Sequence, residues 1–330
     1  MPKIFVTRKI PDSGIIMLQN KGWQVDVNPK DKVLSKNELI KALKGKNYDA
    51  VLCLLTDKID DQIFEATGSQ VKIFANYAVG FDNIDLEAAK KRGIMITNTP
   101  GVLTDTVAEH TFALMLSIAH RIAESDKFTK TGKYKGWAPM LLLGTDVSRK
   151  TLGIIGLGRI GSRVAYHAVK GFEMKVLYTD KERNLEFEKD FSAQSGKEYD
   201  AKFVDLATLL QESDFISIHV PLLPATHHLI GEKELKIMKP GAYLINTSRG
   251  PIIDEKALVK ALKEKWIKGA ALDVYEFEPK LSAGLNNLDN IILTPHTASA
   301  TEETRSKMAE LAAINIIEFL EGRTPPNLVK

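Results

Sequence analysis

Thr151-Leu-Gly-Ile-Ile-Gly156-Leu-Gly158-Arg-Ile-Gly161 is the stretch that decides the fold of this chain. A β-rich apolar run enters a turn with three spaced glycines, and a helical run leaves it. Each glycine has a physical task. Gly156 makes the tight turn out of the strand, Gly158 lets the backbone come close to a pyrophosphate, and Gly161 lets the helix pack on the strand. The unpaired N–H groups at the helix start then face the anion. Glycine-rich turns alone are common. This one is followed by Lys175-Val-Leu-Tyr-Thr-Asp180, a second strand ending in an acid about twenty residues on. That context selects a dinucleotide turn over an ordinary strand–turn–helix and predicts NAD or NADP as the ligand, with Gly156, Gly158 and Gly161 in contact.

Outward from the turn, composition narrows the class. The 330 residues suffice for two domains of ordinary size, each with its own core. Hydrophobic residues make up 44% and charged residues 26%, the balance of a globular rather than a disordered protein. A formal charge of +3 without a dense Lys/Arg block argues against a nucleic-acid partner. Cys53 is the only cysteine and lies in the apolar run Ala50-Val-Leu-Cys-Leu-Leu55, which reads as a buried thiol. A single cysteine rules out an intrachain disulfide and a cysteine-cluster metal site, and no metal is expected. Met1-Pro-Lys-Ile-Phe-Val-Thr runs straight into a strand without a signal-peptide core. No apolar run reaches membrane-spanning length, so no membrane partner is expected and the cytoplasm is the default location.

Strand and helix alternate almost throughout. Lys3–Thr7, Ala50–Leu55 and Lys72–Asn76 are short apolar runs separated by helical segments such as Lys36–Leu43 and Asp60–Ala66, a pattern that predicts a small α/β unit with a mostly parallel sheet. Beyond Pro100 comes Thr104–Ile122, whose apolar residues Val107, Phe112, Leu114, Met115, Leu116, Ile118 and Ile122 nearly encircle a helix. Such a helix is expected to be buried between domains or subunits. After the glycine turn, further strands are predicted at Phe215–Val220, Ala242–Asn246, Ala270–Val274 and Ile291–Leu293, and a C-terminal helix around Thr301–Glu321. The chain therefore reads as a dinucleotide-binding domain at 102–295 inserted into a smaller substrate domain built from 1–101 and 296–330. Hinges are expected near Pro100 and Pro295, with ligand in the cleft between domains at the carboxyl ends of the strands.

Three polar residues stand at predicted strand ends: Arg249 in Ile245-Asn-Thr-Ser-Arg249-Gly-Pro, Glu278 in Asp273-Val-Tyr-Glu-Phe-Glu278-Pro, and His296 in Leu293-Thr-Pro-His296-Thr-Ala-Ser. Reduction of a 2-oxo acid needs a fixed cation for the carboxylate and carbonyl oxygen, for which Arg supplies a planar fork. It also needs a general acid that titrates near neutrality, which suits His. A carboxylate beside the His would orient the ring and favour its cationic form. Taken singly, each residue also has an ordinary reading: Arg249 as a loop salt bridge, Glu278 as a solvated acid, His296 as a turn residue.

The ordered set Gly156-Leu-Gly-Arg-Ile-Gly161, Asn246-Thr-Ser-Arg249-Gly-Pro, Asp273-Val-Tyr-Glu-Phe-Glu278-Pro and Pro295-His296-Thr-Ala-Ser resembles the D-isomer-specific 2-hydroxyacid dehydrogenases over nearly the whole chain. The resemblance implies an α/β fold, a Rossmann-type doubly wound parallel sheet domain inserted in a smaller flavodoxin-like α/β domain, and a homodimer. It implies a triad of His296 as acid/base, Glu278 as its partner and Arg249 as the substrate clamp. It also implies backbone amides of a small-domain loop on the substrate carboxylate. That loop is similar to Asn76-Tyr-Ala-Val79-Gly80-Phe-Asp-Asn, which selects Val79 and Gly80. Further implied cofactor contacts are Thr106, Arg159 and Ile160, with Val220, Pro221 and Thr226 on the adenosine and nicotinamide-ribose side. Thr247, Ser248 and Arg249 are implied beneath the nicotinamide, Asp273 beside its carboxamide, and His296 and Ala298 close by.

Asp180 bears on which nicotinamide cofactor is used. A carboxylate there accepts the ribose hydroxyls and repels a 2′-phosphate, which favours NADH over NADPH. Lys181 and Arg183 follow closely and would suit a phosphate, so NADP stays open. For the substrate, Leu52-Cys-Leu-Leu-Thr-Asp57, Thr99-Pro-Gly-Val-Leu-Thr-Asp105 and Gly136-Trp-Ala-Pro139 before Leu143-Gly144 are most similar to the glyoxylate/hydroxypyruvate reductase branch of the family. The resemblance implies that Trp137 reaches the partner subunit's site; an interface or core tryptophan is the ordinary alternative. Thr297 and Ala298 depart from the Ile-Gly often found after the family's His, which alters the loop beside the acid. The reaction expected is reduction of a small 2-oxo acid to the D-2-hydroxy acid. The alternatives are a phosphoglycerate, D-lactate or 2-ketogluconate reductase of the same family, or a non-catalytic NAD(H)-sensing regulator, against which the intact triad argues.

Overall fold

The strand that opens the glycine turn, β6 (Thr151–Ile155), sits inside a sheet with parallel neighbours on both sides, β7 (Lys175–Thr179) and β9 (Phe215–Ile218). The structure, a computed structural model, describes residues 1–195 and 201–329; residues 196–200 and Lys330 lie outside the described residues. Among the described residues the sheet has seven strands, all parallel. Their order is β12 (Ile291–Leu293), β11 (Gly269–Leu272), β10 (Tyr243–Asn246), β9, β6, β7 and β8 (Ala201–Phe203). The order reverses between β6 and β9, which leaves a crevice outside their carboxyl ends, the place where doubly wound sheets bind nucleotides. Strands buried on both faces explain the continuous apolar runs read from the sequence. Every residue of β9, β10 and β11 is buried.

Helices cover both faces. Helix α5 (Thr104–Ala119) packs against α7 (Arg159–Phe172) and, with Phe112, Met115 and Ile118, joins one core cluster over the sheet. The long apolar helix expected over Thr104–Ile122 thus stops at Ala119 and covers its own unit's sheet. Arg121 takes a left-handed conformation at φ 55, and a separate helix, α6 (Ile122–Lys130), starts there. The other face is closed by α9 (Leu206–Glu212), α10 (Glu232–Ile237) and α11 (Glu255–Lys263) through a second cluster that includes Leu209, Leu235 and Leu258.

The second unit holds a five-stranded parallel sheet ordered β2 (Gln24–Val27), β1 (Lys3–Val6), β3 (Ala50–Leu54), β4 (Ile73–Tyr77) and β5 (Met95–Thr97), the flavodoxin-like order. Helices α1 (Asp12–Asn20) and α12 (Glu302–Leu320) pack together beside it. Helix α2 (Lys36–Leu43) starts with a full capping box between Ser35 and Glu38, and α3 (Asp61–Ala66) with an Asp60 cap, so both follow directly from local sequence. Cys53 is fully buried in this unit, as expected.

The units comprise Met1–Leu103 with Ala300–Lys330, and Thr104–Ser299. Both divisions fall slightly further along the chain than the sequence boundaries of 101/102 and 295/296. At the second, the loop after His296 is bonded back to Asp273: the Thr297 and Ala298 amides donate to its carboxylate at 2.8 Å each. No helix among the described residues is long and apolar enough to cross a membrane, and none of their His, Cys, Asp and Glu side chains form a group of three placed to hold a metal.

One half-buried histidine carries a stability prediction. His219 follows β9, its Nε2 lies 2.8 Å from Ser217 Oγ, and loss of hydration pushes its pKa from 6.5 down to about 3. The folded state therefore holds a neutral imidazole that the unfolded chain would protonate. The stability it contributes is fully present above about pH 6.5 and declines as pH falls towards about 3. Thermal unfolding at pH 7, 6 and 5 should show a falling midpoint, and His219→Gln should flatten that dependence. An equally steep pH dependence in the variant would exclude His219 as its source.

Candidate active site

Three neighbouring strand ends build the site. Strand β10 ends in Asn246, whose fully buried amide accepts from the Ser248 N–H at 3.0 Å and donates to the Arg249 carbonyl at 2.8 Å. That turn places Arg249 just beyond the carboxyl end of β10, and its guanidinium donates to the Ser248 carbonyl at 2.8 Å. Strand β11 leads into Asp273 and the segment carrying Glu278, and β12 leads through Thr294-Pro295 to His296. Glu278 and His296 meet: Nδ1 lies 3.0 Å from Glu278 Oε2, with roughly a third of each side chain exposed (27% and 33%). The Tyr275 N–H donates to the other carboxylate oxygen at 3.0 Å, so Glu278 is held from behind. With Nδ1 turned to a carboxylate, Nε2 is the ring nitrogen left to exchange a proton with a ligand.

His296 itself is strained. Its φ of 55 is left-handed, a conformation a non-glycine residue keeps only when neighbours enforce it. The enforcement is Asp273, fully buried, which receives the Thr294 hydroxyl at 2.6 Å and the Thr297 and Ala298 amides, while its own carbonyl accepts from the His296 N–H at 2.9 Å. His110 Nε2 on α5 approaches the same carboxylate at 3.6 Å. Burial alone would push the Asp273 carboxyl up. The His110 and Thr294 hydrogen bonds and the two amides outweigh it and hold the group below the usual carboxylate range. Asp273 and Ala298, which the sequence placed on the cofactor, thus also form the scaffold under His296. His110, Thr294 and Tyr275 complete that scaffold and were not singled out from sequence. Tyr275 donates to the Thr294 carbonyl at 2.7 Å, and burial together with the Asp273, Glu278 and Glu255 carboxylates pushes its hydroxyl pKa well up, so it stays a donor.

The glycine turn has the form a pyrophosphate requires. Gly156 sits at φ 96, and a Cβ there would fall 2.7 Å from Val220 Cγ1; a Cβ on Gly161 would lie 2.1 Å from the Gly156 carbonyl oxygen. At Gly158, in contrast, a Cβ would meet nothing within 4 Å. Gly158 caps α7 without a side chain, no acidic residue occupies the first turn, and Arg159 and Ile160 follow. The helix start is therefore an open, uncapped set of amides suited to an anion. Asp180 is pinned by two amides, from Leu157 to Oδ2 and from Lys181 to Oδ1, each at 2.7 Å. These residues fit a dinucleotide.

Thr247 is buried, with its hydroxyl 3.0 Å from that of Thr111, and Ser248 bonds the Val220 carbonyl. The Thr226 hydroxyl ties its own loop, donating to Pro221 O at 2.6 Å and accepting from the Leu223 N–H at 2.8 Å. Thr106 lies in the first turn of α5. In the other unit the Val79 and Gly80 carbonyls are taken by Asn98 and Asn76 at 2.8 and 2.9 Å, and neither amide donates to any group among the described residues. Trp137 stands 83% exposed in an irregular segment with Tyr134, Met140 and Leu143, all exposed.

Sheet order and glycine turn together define a dinucleotide-binding α/β protein. Residues 112–298 match the family model described as D-isomer specific 2-hydroxyacid dehydrogenase, NAD binding domain, and the chain belongs to that family. It is 50% identical to a glyoxylate reductase of Thermococcus litoralis over 99% of this chain and 96% of that one. Among solved structures, a Thermus thermophilus protein superposes with a TM-score of 0.91 at 40% identity, covering 99% of this chain and 100% of that one. A glyoxylate reductase from Paecilomyes thermophila gives 0.86 at 30% identity, covering 99% and 98%.

Proposed function

We propose that this chain reduces glyoxylate and hydroxypyruvate to the corresponding 2-hydroxy acids, with NADH as the preferred reductant. The observation that carries the reading is the His296–Glu278 pair at 3.0 Å, on segments that follow β12 and β11, in the same row of strand ends as β10, which leads to Arg249. The nicotinamide, when bound, supplies the hydride. Arg249 holds the substrate carboxylate through its planar fork and screens charge developing on the oxygen. His296, doubly protonated, gives its Nε2 proton to that oxygen, while Glu278 at Nδ1 fixes the ring and balances its charge. In the other unit, Val79 and Gly80 offer amide donors suited to a carboxylate. The glyoxylate reductase relatives support a small oxo acid as substrate. Hydroxypyruvate tests the stereochemistry: with NADH the product should be D-glycerate, and L-glycerate would contradict the reading.

The preference for NADH rests on Asp180 and on what holds Arg183. Glu188, anchored by the Tyr178 hydroxyl at 2.6 Å, takes Arg183 in a two-pronged pair at 3.0 and 2.7 Å, which draws that cation away from a 2′-phosphate. Asp180→Ser should lower kcat/KM with NADH, raise it with NADPH, and shift their ratio by about 10- to 100-fold, the effect of removing a like charge worth one or two multiples of ~1.4 kcal/mol. An unchanged ratio would remove Asp180 from cofactor choice. The exposed apolar segment with Trp137 and Met140 supports a homodimer that covers it, and a lone buried thiol accords with a cytoplasmic location.

A further inference from the structure

Glu255 has no part in the chemistry above, yet it is the most deeply buried acid near it apart from Asp273. It is the first residue of α11, 1% exposed, and its Oε2 has no hydrogen-bond partner among the described residues. A buried carboxylate with an unpartnered oxygen is costly and calls for a compensating use. Its other oxygen accepts the Glu276 N–H at 2.8 Å, and the Glu255 N–H donates in return to Glu276 Oε2 at 3.3 Å. The two acids thus clasp each other through their backbones.

The clasp lies one peptide away from the catalytic pair. The Tyr275 N–H, on the residue just before the clasped amide, donates to Glu278 Oε1, and Glu278 Oε2 faces His296. Two further contacts fix the same peptide. A Cβ on Gly250 would fall 1.8 Å from the Tyr275 carbonyl carbon, so the backbone after Arg249 lies flat against it. Glu276 Oε1 also meets His228 Nε2 at 2.9 Å, which ties the loop to the segment carrying Thr226. The four residues from Tyr275 to Glu278 belong to no helix or strand, and these anchors, together with the Phe277–Lys280 bridge, set the shape of the loop.

We propose that Glu255 is a positioning residue: by holding the Glu276 amide it fixes the Tyr275–Glu278 loop so that Glu278 faces His296. The inference rests on the acid/base role given to His296 above. The test is a double-mutant cycle with NADH and glyoxylate, kcat being expressed per NADH-binding site by fluorescence titration so that unfolded protein is not counted. Glu255→Ala should lower kcat about tenfold with NADH binding unchanged, whereas in a Glu278→Gln background the same change should cost less than about twofold, since coupled sites are not additive. Glu255→Gln keeps the acceptor for the Glu276 amide and should stay within about threefold of the native kcat. A full loss in both backgrounds, a wild-type kcat in Glu255→Ala, or a folded Gln variant as slow as Ala would each overturn the proposal. A native protein that binds NADH but turns over no oxo acid removes the reading beneath it, and the proposal with it.

Discussion

His296→Ala is expected to lower kcat for NADH-dependent reduction of glyoxylate by about 10²- to 10⁴-fold, the range a positioned general acid contributes. The expectation follows from geometry. Nδ1 is committed to Glu278 at 3.0 Å, so the ring has one orientation and presents Nε2, and removing it takes that proton donor away. The backbone should tolerate the change. The left-handed conformation at position 296 is imposed by Asp273 through the neighbouring amides and not by the imidazole. The Kd for NADH should accordingly move little, and kcat should carry most of the loss. Retention of most of the turnover would remove His296 from the acid/base role, whereas a parallel collapse of NADH binding would point to a damaged loop.

Arg249→Ala is expected to reduce kcat/KM for the oxo acid by about 30- to several thousand-fold. Truncating one partner of a buried, hydrogen-bonded charge pair costs about 2–5 kcal/mol, at ~1.4 kcal/mol per tenfold. The buried Asn246 holds the turn from both sides of Arg249, so its position should survive substitution of the side chain. Arg249→Lys supplies the charge without the fork and should recover only part of the loss. If Lys restores full kcat/KM, the clamp is a point charge and the two-pronged account of carboxylate recognition is wrong.

The parts of this molecule that were legible in sequence are those where the signal is local. The glycine turn, the helix at Lys36–Leu43, and the apolar strands β6, β9, β10 and β11 all announce themselves within a few residues. The candidate residues Arg249, Glu278 and His296 stood out for a related reason: each lies shortly beyond an apolar strand, where a polar side chain is conspicuous. Strands β2, β5 and β8 were not singled out. They are edge strands of three or four residues, too short for a period to show and only partly buried. The end of α5 was misjudged because its apolar residues run on through Ile122, while the break depends on one left-handed residue, Arg121, that carries no glycine signature. The clasp between Glu255 and Glu276 joins positions 21 residues apart and has no sequence period at all. Asp273 was read as a cofactor contact from resemblance; its bonds to Thr294, Thr297 and Ala298 could be seen only once β11 and β12 were side by side.

The most direct test of the account is NADH oxidation by the purified protein at neutral pH with glyoxylate, hydroxypyruvate, pyruvate and 2-ketogluconate in parallel, repeated with NADPH. The account predicts fastest turnover with glyoxylate or hydroxypyruvate and a higher kcat/KM with NADH than with NADPH. Faster turnover of pyruvate or 2-ketogluconate would keep the mechanism and overturn the substrate, and silence across the panel with NADH still bound would contradict the central claim.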